Sequence, residues 1–232
     1  VGKLSVENIS QIIDGFVHAC RENGCALIGG EMAEMPGLYQ AGDFDLAGTI
    51  VGMVEEDKLL PRDNMQEGDI LVGLPSTGLH TNGYSLARKI LFERMGYQVD
   101  SYIEELGDTL GSVLLRVHKS YLSELGEYLG DNRLCALAHI TGGGIAGNLK
   151  RVLSPGLKAV VSLPPKPILP IFELIQKGGN VRPEVMLQTF NMGIGMICVM
   201  RPELAHEFLQ KHNCVELGTL QISGDDTRVE FI

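Results

Sequence analysis

The sequence has no CxxC pair, no apolar run of membrane-spanning length and no surplus of basic residues. Its five cysteines (Cys20, Cys25, Cys135, Cys198 and Cys214) are odd in number, and Cys198 sits in the apolar run Met196–Met200. They read as reduced thiols, and a disulfide framework is not expected. With 19 Lys and Arg against 29 Asp and Glu, the formal net charge is −10. A general nucleic-acid binder is thereby excluded, because neutralising phosphates needs a basic surface. An anionic small molecule is not excluded, since loop amides and helix N-termini bind phosphate locally. The missing apolar run excludes a membrane-spanning helix, and Val1-Gly2-Lys3-Leu4 carries no signal-peptide pattern. A soluble, cytoplasmic protein is the expectation. HExxH, GxSxG and zinc-like Cys/His spacings are also missing, so zinc- and serine-hydrolase chemistry has no support.

What is present is an ordinary globular composition, 44% hydrophobic and 21% charged over 232 residues. That length suits one large domain or two small ones with a sizeable core. Ser5 is a plausible N-cap for a helix with an apolar stripe of Ile9, Ile12, Ile13, Phe16, Val17 and Cys20. Strands are expected at 25–28 and, as a long element, at 44–54. The polar stretch 55–68 reads as the domain boundary. Beyond it the pattern gives a strand at 69–74, a loop to Asn82 and a helix over 83–95. A helical region at 110–129, a strand at 134–139, a helix after Gly144 and a strand at 157–163 follow. Pro164–Pro167 reads as a rigid connector. Helices near 168–176 and 182–187, a strand at 194–200, a helix opened by Pro202 and two short strands complete the chain. Strands and helices mix without regular βα alternation, which predicts an α/β (α+β) fold of two mixed-sheet domains.

Five segments can carry chemistry. In Gly29-Gly30-Glu31-Met32-Ala33-Glu34-Met35-Pro36-Gly37, the glycines let a ligand approach the backbone and the carboxylates suit a divalent cation. A tight turn with solvated acids fits that segment equally well. Strand alternation would put Asp43 and Asp45 on one side, able to share a cation or orient an amine, although an acidic strand start is the simpler reading. Ser76-Thr77-Gly78-Leu79-His80-Thr81-Asn82-Gly83 gathers hydroxyls, amides and a helix N-terminus, which suits a phosphate or carboxylate. It lacks the Gly-Lys-Ser/Thr ending of a Walker A loop. Structural alternatives there are Asn82 as the N-cap and His80 as an exposed loop residue. His139-Ile140-Thr141-Gly142-Gly143-Gly144 repeats this strand-to-helix layout. Three consecutive glycines cost backbone entropy, which points to function over mere connection. Thr189-Phe190-Asn191-Met192-Gly193-Ile194-Gly195-Met196 leads into an apolar strand, and there close packing is the stronger reading. His18, His118, His206 and His212 are expected on helix surfaces. Together the loops indicate a phosphate-bearing ligand with a divalent cation, without naming a reaction.

These segments resemble the aminoimidazole ribonucleotide synthetase family. That family carries Gly-Gly-Glu-Thr-Ala-Glu-Met-Pro-Gly, Gly-x-His-Ser-Asn-Gly, His-Ile-Thr-Gly-Gly-Gly and Thr-Phe-Asn-Cys-Gly-x-Gly runs in this order. Here they stand at Gly29–Gly37, Gly78–Gly83, His139–Gly144 and Thr189–Gly195. Asp45–Gly48 and Tyr84–Lys89 match as well. The departures are Met32 for Thr, Thr81 for Ser and Met192 for Cys. Thr81 keeps its hydroxyl, Met32 removes one beside the expected phosphate site, and Met192 argues against a needed thiol.

The resemblance implies an enzyme that uses ATP and Mg2+ to cyclise formylglycinamidine ribonucleotide to aminoimidazole ribonucleotide. It places Glu31 and His139 as catalytic residues, with Glu31 on the metal. Gly29, Gly30, Glu31, Thr141, Gly142, Gly143 and Gly144 fall at the ATP phosphates. Asp43, Asp45, His80, Asn82, Thr189 and Asn191 fall at the substrate. A homodimer built through N-terminal domains is implied too, with the 44–54 strand contributing. The family's Asp-Gly-x-Gly-Thr-Lys segment is not in this sequence. The expectation is therefore a partial N-terminal domain (1–66), a complete C-terminal domain (67–232) and a chain incomplete for catalysis alone. The alternatives are a chain that only binds nucleotide or a partner, or one of the related hydrogenase-maturation, selenophosphate and thiamine-phosphate enzymes. In those the loop at His139 usually begins with Asp.

Overall fold

A computed structural model describes residues 1–165 and 167–232; Lys166, within the expected Pro164–Pro167 connector, lies outside the described residues. The chain divides into two compact units, 1–55 and 56–232.

In the first unit, α1 (Val6–Glu22) starts where Ser5 Oγ accepts from the Asn8 amide at 3.3 Å, satisfying one of the donors a helix start leaves open. Its apolar stripe is only half-covered: Ile13 and Phe16 are exposed, and no residue of this unit is buried. The strands expected at 25–28 and 44–54 do not form. A strand exists only when a neighbour takes up its backbone groups, and neither segment pairs with one among the described residues. Ile28 is 92% exposed, and Ile50, Val51 and Met53 are exposed as well. Asp43 and Asp45 consequently lie in a loop and not on a common strand face. The mixed sheet expected of this half is absent among the described residues.

The second unit holds the sheet. Its strands are β1 (Ile70–Pro75), β2 (Tyr102–Ile103), β3 (Asp108–Thr109), β4 (Leu134–His139), β5 (Leu157–Val161), β6 (Ile194–Met200), β7 (Val215–Ile222) and β8 (Val229–Phe231). Six of them form one mixed sheet in the order β4-β6-β1-β7-β5-β8; all neighbours are antiparallel except β5 and β8. The period-2 alternation of strands sorts side chains to two faces. Leu71, Ala136, Ala138, Ile197 and Val199 join one core with Ile145 and Leu149. Val72, Leu74, Cys198 and Met200 join the other with Leu204 and Phe208.

The helices of this unit are α2 (Tyr84–Arg88), α3 (Leu110–Leu114), α4 (Leu122–Leu125), α5 (Gly144–Val152), α6 (Pro170–Gly179), α7 (Pro183–Thr189) and α8 (Pro202–Lys211). Proline at the first helical position of α6, α7 and α8 loses no hydrogen bond there. The single helix expected over 83–95 becomes α2 followed by a π-helical turn, Lys89–Arg94, closed by Met95 N–H to Ile90 O at 2.9 Å. The helical region expected at 110–129 breaks into α3, α4 and a 3-10 turn, with an irregular segment at 115–121. No helix among the described residues is long and apolar enough to cross a membrane.

Candidate functional site

Antiparallel order brings three sequence-distant segments to one end of the sheet. The ends of β1 and β4 flank the start of β6: Leu74 and His139 both pair with Met196, and Pro75 pairs with Ile194. The Ser76 amide then donates to Gly193 O at 2.8 Å, and the Ile140 amide to Gly195 O at 2.9 Å. Loops 76–83, 139–144 and 189–193 therefore leave the sheet side by side.

Asn191 ties two of them together. Only 3% exposed, it accepts from Ser76 Oγ at 3.1 Å and from the Gly193 amide at 2.8 Å. Its Nδ2 donates to Gly78 O at 3.0 Å and Leu79 O at 3.3 Å. Both ends of the amide are thus engaged within the protein. Thr189 ends α7 half-buried beside this clamp.

In the 139–144 loop the glycines have separate jobs. Gly144 has φ +62, and a Cβ there would fall 1.8 Å from Leu187 O. Gly142 lies against the loop from β1, where an added Cβ would stand 3.1 Å from Asn82 Oδ1. Asn148, buried on α5, donates to the carbonyls of Thr141, Gly142 and Gly144 and accepts from Thr141 Oγ1 at 3.2 Å. The loop's carbonyls are thereby pulled inward. The exposed Gly142 and Gly143 amides donate to no described residue, at the N-terminus of a nine-residue helix. Free amides and a helix dipole at one point suit an anion. Asn82 is not the helix cap: Gly83 occupies that position, and Asn82 Nδ2 reaches only Thr81 Oγ1 at 3.4 Å.

Histidines line the same end. His80 is 5% exposed and sits at φ +59, a left-handed conformation uncommon for a residue with a Cβ. Gly195 makes room for it, since a Cβ there would lie 2.7 Å from His80 Cε1 and 1.9 Å from Tyr121 Oη. His80 Nε2 accepts from the Thr77 amide at 3.1 Å. His118, expected on a helix surface, instead stands in the irregular 115–121 segment. Its ring stacks on His80 at 3.9 Å between centroids, and its Nε2 is 3.2 Å from Nε2 of His139. Burial, then the neighbouring His118, His139 and Lys119, lower His80 to a pKa of about 4. Burial, with His139 adding to it, lowers His118, and burial lowers His139. The group is therefore a set of neutral imidazoles at neutral pH, able to donate or accept single hydrogen bonds.

The remaining candidates belong to the first unit. Gly29, Gly30 and Glu31 are exposed in a segment without regular structure, and Glu31 engages no other described residue. Asp45 accepts from Tyr39 Oη at 2.8 Å, and Asp43 accepts from the Gln40 amide at 3.3 Å. Glu34 accepts from the Leu4 amide at 2.6 Å. His118 and Asn148 belong to none of the five motif segments. An asparagine inside a short helix, as at 148, is the one sequence signal of a tether, because Asn is a poor helix former.

A six-stranded mixed sheet with helices packed on it and glycine-rich turns at one end defines a mixed α/β domain. Residues 66–229 match the family described as AIR synthase related protein, C-terminal domain, and residues 1–54 match its N-terminal domain. The chain belongs to the AIR synthase related family. It is 45% identical over 209 residues to a phosphoribosylformylglycinamidine cyclo-ligase of Alkaliphilus metalliredigens, covering 90% of this chain and 60% of that protein. The chain spans about 60% of the length of the curated relatives it matches. In fold it is similar to thiamine-monophosphate kinase from Stenotrophomonas maltophilia, with a TM-score of 0.61 and 16% identity over 100% of this chain and 69% of that one. It is also similar to the E. coli hydrogenase maturation protein HypE, with a TM-score of 0.58 and 18% identity over 98% of this chain and 66% of that one.

Proposed function

We propose that the protein takes part in the ATP-dependent cyclisation of formylglycinamidine ribonucleotide to aminoimidazole ribonucleotide, a step of purine biosynthesis releasing ADP and phosphate. The observation that supports this most is the convergence of loops 76–83, 139–144 and 189–193, all matching the family's motifs, at one end of the sheet. The names of relatives at 44–46% identity agree with it.

In this reaction the formamide oxygen takes the terminal phosphoryl group of ATP. The amidine nitrogen then attacks the activated carbon, and the C–O bond breaks as phosphate leaves. Such chemistry asks the protein mainly for alignment and for fixed dipoles where negative charge gathers. The free amides of Gly142 and Gly143 and the α5 dipole supply those dipoles, with Thr141 and Gly144 shaping the turn. His139, neutral and at the loop's edge, donates a hydrogen bond to a phosphoryl oxygen. His80 and Asn82 face the substrate, with Asp43, Asp45 and Thr189 as further contacts; Asn191 acts by holding the loop. Gly29 and Gly30 let phosphate approach the backbone. Glu31 is an exposed carboxylate with no partner among the described residues, the hard oxygen donor that Mg2+ prefers, and it would hold that ion at the phosphates. Assembly as a homodimer in the cytoplasm belongs to the same reading.

The test is an ATP-dependent cyclisation assay that follows ADP and aminoimidazole ribonucleotide. It is run on this chain and on a chain of the relatives' full length. Product from the longer chain alone supports the reading with catalysis incomplete here. No product from either folded protein overturns it.

A further inference from the structure

The grouping of His118 with His80 and His139 is not used by the cyclisation chemistry. One ring nitrogen from each of the three lies within 4.8 Å of the other two. Among the described residues no carboxylate or thiol shares the group, so its donors are imidazole nitrogens. Such a set selects borderline-soft divalent ions of the zinc, cobalt and nickel class over magnesium, which prefers oxygen.

Two features of the geometry favour a cation. The Nε2 atoms of His118 and His139 are 3.2 Å apart. Two nitrogens at that spacing, each bound at about 2.1 Å, subtend roughly 100° at a shared ion, which suits tetrahedral ligation. Second, His80 Nδ1 is buried without a hydrogen-bond partner. While Nε2 accepts from the Thr77 amide, the proton of the neutral ring must sit on Nδ1, where nothing receives it. The other tautomer is provided for. Thr77 Oγ1 donates to Val117 O at 2.7 Å and stands 3.2 Å from Nε2, so it can accept an Nε2–H. Nδ1 then presents a bare lone pair, with no net change in protonation. Stacked rings point their lone pairs side by side, so His118 must turn about its side-chain bonds to ligate. Its place in the irregular 115–121 segment, half-buried, allows that turn.

We propose that His80, His118 and His139 form a three-imidazole site for one divalent transition-metal ion of the zinc, cobalt and nickel class. An oxygen ligand such as water or phosphate completes its coordination. The site does not depend on the cyclisation reading, and its test reads metal binding and not turnover.

The chain is freed of metal by chelation and titrated with Zn2+ while the imidazole nitrogens are followed by 15N NMR. Expected is saturation at one equivalent, with shifts confined to His80, His118 and His139 while His18, His206 and His212 stay in place. Co2+ should give a visible d–d spectrum without the near-ultraviolet charge-transfer band of a thiolate. His118→Ala should weaken Zn2+ binding by roughly tenfold or more, whereas His206→Ala should not. Shifts at another set of histidines, a thiolate band, or no saturable binding would overturn the proposal. The wild-type NMR titration decides the matter even where a variant fails to fold.

Discussion

Asn191→Ala is the sharpest test of how the site is held. The side chain serves four groups on two loops: Ser76 Oγ, the Gly193 amide, and the carbonyls of Gly78 and Leu79. After truncation Gly78 O keeps Ser76 Oγ at 3.0 Å. The Gly193 amide and Leu79 O lose their partners in a region water does not reach. Each orphaned buried group costs about 1–3 kcal/mol, and the lost bond to Ser76 adds about 1 kcal/mol. Asn191→Ala should therefore destabilise the 56–232 unit by about 3–7 kcal/mol. Ser76→Ala alone leaves Asn191 with three bonds and should cost about 1 kcal/mol. Urea denaturation followed by tyrosine fluorescence reads this directly. The chain has no tryptophan, and five of its six tyrosines lie in that unit. Asn191→Ala costing under about 1 kcal/mol, or no more than Ser76→Ala, would refute the clamp.

Other consequences follow from the same loops. Gly144→Ala forces a Cβ onto Leu187 O at φ +62 and should cost about 3–4 kcal/mol in denaturant titration. Gly147→Ala, inside α5 with nothing within 4 Å of the new Cβ, should instead stabilise by about 0.5–1 kcal/mol. His80 binds its proton at pH 6.5 when unfolded and at about 4 when folded, so between those values the unfolded chain holds more protons. Its contribution is present above pH 6.5 and is lost as the pH falls toward 4. Metal-free protein should lose about 2 kcal/mol from this group between pH 7 and 5. Asn tolerates the left-handed backbone, so His80→Asn should flatten that part of the stability profile; an unchanged slope excludes His80 as its source. Glu31→Gln, in a chain of the relatives' length, should lower turnover on the order of a hundredfold with the circular-dichroism melt unchanged. Full turnover removes Glu31 from the phosphates.

The second unit was legible in sequence because its elements bury themselves. The apolar runs of β1 and β6 and the prolines opening α6, α7 and α8 carry their own local signals. The 44–54 segment reads as a strand by composition, yet no local signal supplies the partner whose backbone a strand needs. Exposed Ile50, Val51 and Met53 are the result. The π-helical turn after α2 was hidden for a related reason. Apolar spacing marks Ile90 and Leu91 as buried without saying that the turn there winds as a π-helix or that Gly179 packs closely on Ile90.

The site divides along the same line. Motif spacing found His80, Asn82, His139 and the glycine run, because each sits where a strand meets a helix. It could not tell that Asn82 lies against Gly142, since that neighbourhood depends on β6 standing between β1 and β4. It reads the 189–196 segment as close packing without showing the clamp, because three of the four Asn191 bonds reach across more than a hundred residues of chain to residues 76–79. His118 is the extreme case. It follows no glycine, caps no helix and occupies no periodic position, and only the path of the 115–121 segment carries it onto His80. A residue brought into a site by tertiary packing alone leaves no local trace in sequence. The motif-free members, His118 and Asn148, are therefore where substitution will best separate what the loops bind from how they are held.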